Sequence, residues 1–149
     1  MNNHRETAYA LLRVTLGVVF LFNGIGKFMG GLNSFVGGMN QRFSGKLPGA
    51  LVMPFAYALP FMEVLCGTLL LLGLFTGVAL VLSGLLLAAL TFGTVMLNDF
   101  PTVAHNTQYA LVNSLLLWLV DYNGFSIDRL RRGGQLISSP DAVEAGPAD

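Results

Sequence analysis

Charge is what this sequence has least of. Lys, Arg, Asp and Glu make up 11% of its 149 residues, eight of each sign, against about 25% in an ordinary soluble domain. A chain this short with so few charges cannot cover an apolar core with polar surface, so lipid must solvate much of it. The balanced charge leaves no electrostatic footprint for nucleic acid. Cys66 is the only cysteine, which excludes an internal disulfide, a thiol pair and a cysteine-ligated cluster. Histidine is nearly as scarce, with His4 and His105 alone. The topology derived below puts them on opposite sides of a membrane, where they cannot share a haem iron. Neither H-x-x-E-H nor H-E-x-x-H occurs. The sequence therefore predicts no metal site and no redox cofactor of its own. Period-two alternation is missing too, which argues against a barrel.

Hydrophobic residues are abundant, at 54%. They gather in four stretches, about 8–28, 50–72, 76–97 and 104–122. Each approaches the roughly 20 residues that cross about 30 Å of hydrocarbon as a helix. Inside lipid every backbone group must be satisfied within the segment, which a helix achieves. The first stretch carries Arg13 and ends in Gly26-Lys27-Phe28 without a small-x-small cleavage site, so it reads as a retained span and not a signal peptide. The expected fold is an all-α membrane protein, a four-transmembrane-helix antiparallel bundle. Residues 1–7 form a cytoplasmic N-terminus, 8–132 the membrane domain and 133–149 a disordered cytoplasmic tail.

The connections differ in length. Gly73-Leu74-Phe75 makes a tight hairpin, and Asn98 to Val103 turns at Pro101. The first loop, Met29 to Gly49, places Phe35, Val36, Met39 and Phe43 at helical spacing, as a short amphipathic segment would. Gly30, Gly31, Gly37 and Gly38 fit a flexible loop instead. After Tyr122, Ser126 is placed to cap a short basic helix. Arg5, Arg13, Arg129, Arg131 and Arg132 fall on the side of the termini; Lys27, Arg42 and Lys46 fall on the other. That excess predicts both termini in the cytoplasm of a bacterial inner membrane protein.

Ionisable groups within spans cost about 2.5–3.5 kcal/mol at a helix centre on insertion scales, so each needs a partner or a purpose. On span one, Arg13, Gly17, Phe20, Asn23, Gly24 and Lys27 share a side opposite Leu11, Val14, Val18, Leu21 and Ile25. On span two, Ala56, Pro60, Glu63 and Gly67 share a face. Depth counted from the span ends brings Arg13 and Glu63 close enough to form an intramembrane ion pair, either fixing helix register or serving a proton or cation. Snorkelling of Arg13 to the surface is the alternative. Asn23, Lys27, His105, Gln108, Tyr109 and Asn113 gather at the outer ends of spans, as a polar ligand pocket or as ordinary interfacial residues.

Three segments resemble the DoxX family. They are Leu11-Leu12-Arg13 through Phe20-Leu21-Phe22-Asn23-Gly24-Ile25-Gly26-Lys27-Phe28, Pro60-Phe61-Met62-Glu63-Val64-Leu65-Cys66-Gly67 with Leu71 to Gly77, and Gly124-Phe125-Ser126-Ile127-Asp128-Arg129-Leu130. The resemblance implies a four-helix bacterial inner-membrane protein, with Arg13, Gly24, Lys27, Glu63 and Gly67 at recurrent positions. It also implies relatives that serve quinone-linked oxidation or thiol and quinone stress. Asn23 stands where many members carry His, and Gln108 where Glu is common, so two titratable groups are replaced by amides.

Three functions follow as expectations. The first is a membrane subunit holding a quinone or similar molecule as bound substrate for a soluble or membrane redox partner, with oligomers allowed. The second is a small-solute or proton-coupled transporter using Arg13 and Glu63. The third is a non-catalytic anchor or assembly factor that recruits a partner through Arg129, Arg131 and Arg132.

Overall fold

A computed structural model of the chain describes residues 3–130. Five helices follow one another: α1 (Asn3–Met29), α2 (Leu32–Arg42), α3 (Gly49–Leu72), α4 (Thr76–Met96) and α5 (Phe100–Trp118), with a 3-10 turn at Val120–Tyr122. No strand occurs among the described residues. α1, α3 and α4 are each long and apolar enough to cross a bilayer. The protein is an all-helical membrane protein. α1 packs most extensively on α3, α4 packs on α5, and smaller contacts between α3 and α4 and between α1 and α5 complete the bundle. The terminal end holds the start of α1, the α3–α4 turn and the segment after α5. The loop end holds α2 and the α4–α5 turn.

Glycine sets the α1–α3 contact. A Cβ on Gly24 would lie 2.8 Å from the Pro60 carbonyl oxygen and 2.9 Å from the Val64 nitrogen. One on Gly17 would stand 3.0 Å from the Leu71 nitrogen, and one on Gly67 would strike the Leu21 backbone. Small residues let two backbones touch in lipid, where no hydrophobic drive brings helices together. Ala56, Pro60, Glu63 and Gly67 are all buried on α3, and Leu11, Val14 and Val18 face outward from α1.

Each turn has a local cause. Gly73 takes φ 64° at the end of α3, and the Leu74 amide donates to the Leu69 carbonyl at 3.0 Å, closing a Schellman motif that favours glycine. α5 starts at Phe100, inside the segment that sequence alone reads as a turn around Pro101. Asp99 accepts from the Thr102 amide at 3.3 Å, and Pro101 lies in the first turn, where a missing N–H leaves no bond unmade. α2 is a helix with Val36 buried and Phe35 and Met39 packed on the core. Beyond α2, Lys46 donates to the Met96 carbonyl at 2.6 Å and Arg42 pairs with Asp99 at 3.3 Å, fastening the first loop to the α4–α5 turn.

After the 3-10 turn the chain folds back over the terminal end. Asp128 accepts from the Phe75 and Thr76 amides at 2.8 and 2.9 Å and from the Thr76 hydroxyl at 2.9 Å. It caps α4 from 52 residues away in sequence, placing a carboxylate at the positive end of the helix dipole. Ser126 Oγ accepts from the Arg129 amide at 3.3 Å, and helical residues begin at Ile127. The expected disordered tail lies outside the described residues.

Two tests follow from this packing. Gly67→Ala and Gly24→Ala should each cost about 1–3 kcal/mol through overpacking. Gly26→Ala, whose Cβ meets nothing within 4 Å, should be neutral or gain roughly 0.5–1 kcal/mol. Thermal melts in detergent, followed by circular dichroism, compare the three. Hydrogen bonds from the Thr102 side chain and amide, with Arg42 adding to them, hold the Asp99 carboxyl below the usual carboxylate range. A depressed pKa contributes stability above the unfolded-state value, near 3.9, and loses it as pH falls through the folded-state value. The melting difference between wild type and Asp99→Asn should therefore be constant at neutral pH and shrink below about pH 4.

Candidate functional site: a buried ion pair beside an apolar cleft

Glu63 is buried within α3 at 3% exposure. Its partner is Lys27, not Arg13. Lys27 Nζ donates to Oε1 at 2.9 Å and to Oε2 at 2.7 Å, and also reaches the Asn23 carbonyl at 3.3 Å. The Phe35 ring of α2 covers the ammonium, with Nζ 5.5 Å from the ring centroid, a cation–π contact that strengthens where water is excluded. α2 thus covers part of the pair, leaving the Lys27 side chain 21% exposed.

Helix register explains why the expected Arg13–Glu63 pair does not form. Gly17 meets Gly67 and Leu71 while Gly24 meets Pro60 and Val64, so Glu63 stands level with about residues 21–25 of α1. Lys27 is within one turn of that level. Arg13 lies beside Gly73, ten residues further along, or about 15 Å at 1.5 Å per residue. Counting depth from span ends fails because α1 starts at Asn3 and extends well past the C-terminal end of α3. Arg13 does not snorkel either. It is 3% exposed, and its Nη2 donates to the Phe125 carbonyl at 2.6 Å.

A cleft of about 550 Å³ opens beside the ion pair between α2, α3 and α4. Phe35, Met39, Phe43, Phe55, Leu90 and Phe92 make its apolar walls, and Ser34, Arg42 and Thr94 contribute polar groups. Phe35 is shared, lining the cleft and covering Lys27. A large apolar concavity with few polar groups is the usual form of a small-molecule site.

The residues expected to form one polar pocket differ in burial. Asn23, His105 and Gln108 are exposed, and Tyr109 packs against the core. Asn113 is buried against α4, where its Nδ2 donates to the Leu80 carbonyl at 2.9 Å and its Oδ1 accepts from Ser83 Oγ at 2.7 Å. None of them lines the cleft. Among the basic residues expected to recruit a partner, Arg129 pairs with Glu6 at 3.1 Å; Arg131 and Arg132 lie outside the described residues. Among the described residues no group of three or more His, Cys, Asp or Glu could hold a metal ion. Sequence reasoning missed the role of α2, although Phe35 at helical spacing from Met39 carried the signal. It also missed Asp128, whose cap has no local sequence signature.

Several apolar helices, joined through glycine contacts around a buried charge pair, define a small multi-span membrane protein. A family described as methylamine utilisation protein MauE matches residues 5–103, and the chain belongs to that family. Membership of DoxX is not shown. No curated protein and no solved structure matches the chain.

Removing one partner of a buried ion pair leaves the other charge stranded, at about 3–5 kcal/mol. Lys27→Met alone should therefore lower the melting temperature in detergent more than the double variant Lys27→Met/Glu63→Met. Glu63→Lys with Lys27→Glu should recover most of the loss. Arg13→Met with Glu63→Met should show no such rescue.

Proposed function

We propose that the chain is an integral membrane accessory subunit of a redox system, and that the α2–α3–α4 cleft holds a quinone or a similar apolar molecule. The family's description supports the setting, because it concerns the use of methylamine. Methylamine is a reduced amine, and its oxidation releases electrons that a membrane-soluble quinone can accept. The observation that carries the ligand reading is the cleft of about 550 Å³ itself. Its aromatic and methionine walls suit a flat ring and an isoprenoid chain, and Arg42 and Thr94 can hydrogen-bond carbonyl oxygens. Electrons reach the ligand from a soluble or membrane redox partner.

In this reading the chain crosses the inner membrane four times with both termini cytoplasmic. α5 is the fourth span, supported by its close packing along α4. Its lower hydropathy comes partly from Asn106 and Asn113, which are buried inside the bundle. α2 then rests as an amphipathic segment at the outer face, with Ser34, Gly37 and Gly38 exposed. The transporter reading loses its coupling site, because Arg13 and Glu63 are held apart.

Binding of a short-chain ubiquinone or menaquinone to protein in nanodiscs, measured calorimetrically, tests the ligand reading. Binding should saturate at one per chain. Ala89→Trp, which fills the cleft, should weaken it at least about tenfold, or about 1.4 kcal/mol. Unsaturable partitioning that Ala89→Trp leaves unchanged would rule the cleft out.

A further inference from the structure

A second groove, of about 260 Å³, lies between α1 and α5 at the terminal end and shares no residue with the α2–α3–α4 cleft. Its walls are graded in polarity. On α1, Arg5, Tyr9 and Leu12 line it, four and three residues apart and so on one side of the helix. Facing them are Tyr122, Leu119 and Leu115. The two walls run in opposite chain directions, yet both pass from polar to apolar in the same spatial direction.

Arg5 stands at the polar end. It is exposed, its Nη1 donates to the Tyr122 hydroxyl at 3.0 Å, and its guanidinium carbon lies 5.7 Å from the centre of that ring. Glu63, Asp99 and Glu6 pair with Lys27, Arg42 and Arg129, and among the described residues no carboxylate pairs with Arg5. No acidic side chain lines the groove. One turn deeper, about 6 Å along α1, Tyr9 is 3% exposed, and its buried hydroxyl has no hydrogen-bond partner among the described residues. A buried donor left unmet is unfavourable, so an acceptor at that depth is gained by whatever fills the groove. Asn123 Nδ2 donates to the Thr76 hydroxyl at 2.9 Å, which sets the foot of α5 level with the start of α4, a helix able to span a bilayer. The groove therefore lies where hydrocarbon gives way to headgroups.

We propose that this groove binds one anionic phospholipid, with its phosphate at Arg5 and Tyr122, an ester oxygen at the Tyr9 hydroxyl, and an acyl chain against Leu12, Leu115 and Leu119. Such a lipid carries charge, hydrogen-bond acceptor and hydrocarbon in the order in which the groove presents cation, donor and apolar wall. A partner helix has no reason to carry that order, and a soluble anion leaves the apolar length unfilled. A guanidinium forks onto two phosphate oxygens, and a net negative headgroup adds an attraction that a zwitterionic one lacks. The inference uses the membrane setting alone and is independent of the quinone reading.

Native mass spectrometry of the full chain, titrated in detergent with dioleoyl phosphatidylglycerol or dioleoyl phosphatidylcholine, tests the site. One phosphatidylglycerol should be retained per chain, at least about fivefold tighter than phosphatidylcholine. Arg5→Gln should remove that preference, Arg5→Lys should keep most of it, and Lys46→Gln at the loop end should leave it intact. Ala8→Trp, which fills the groove from an exposed position, should weaken both lipids at least about tenfold; circular dichroism melts check that each variant is folded. Equal affinity of the wild type for the two lipids would overturn the proposal, as would a preference that survives Arg5→Gln or falls equally in Lys46→Gln. Displacement by glycerol 3-phosphate, which has the anion without the chains, would assign the site to a soluble anion instead. A second copy of the chain or a different protein retained in place of lipid, and lost in Ala8→Trp, would overturn it too.

Discussion

The contact between the backbones of α1 and α3 governs the rest of this structure. Gly17, Gly24 and Gly67 let the two helices touch along their length, and once they touch, their relative translation has no freedom. A shift of one turn would drive a side chain into the opposing backbone. The translation they fix brings Lys27 to the level of Glu63 and sends Arg13 to the α3–α4 turn. The ion pair is thus a consequence of steric register. Its own attraction is a weak organiser, since much of the gain offsets the cost of dehydrating both groups.

At the terminal end a second set of contacts holds the remaining helices. Asp128 caps α4, the Asp128 amide donates back to the Gly73 carbonyl at 3.1 Å, and Arg13 holds the Phe125 carbonyl. Gly73 serves both sets. Its positive φ ends α3, and the space left by its missing side chain is filled by Arg13 and Ser126. At the loop end, Lys46 and Arg42 reach across to Met96 and Asp99, so the cleft walls contributed by α2 and α4 are tied at that edge.

The helices were legible because hydrocarbon imposes length. Gly49–Leu72 and Thr76–Met96 fall within a residue of the apolar stretches. The glycine stripe of α1 and the Ala56-Pro60-Glu63-Gly67 face of α3 were legible from helical period alone. Pairing was less so. Depth measured from span ends assumes that every helix starts at the same plane, and α1 does not. Proline misled at position 101, where a residue that breaks a helix interior instead opens one. Of Asn23, Lys27, His105, Gln108, Tyr109 and Asn113, expected to line a pocket, Asn113 turns toward Ser83 and Lys27 toward Glu63, because residues at one depth need not share an azimuth. The cleft was hidden because it is built from ordinary apolar residues of three helices, none of which is unusual in its own segment.

The capping of α4 by Asp128 also has a consequence in time. The amides of Phe75 and Thr76 leave the ribosome before the carboxylate that satisfies them, which follows 52 residues after Thr76, or about 3–10 s at common synthesis rates. Arg13 waits for the Phe125 carbonyl across 112 residues, about 6–22 s on the same clock. Until the closing segment emerges, α1 must keep its guanidinium near water, and α4 must enter the membrane with its first turn uncapped. Phe125 and Asp128 secure the first and fourth helices late in synthesis, so these contacts close only after that segment has emerged.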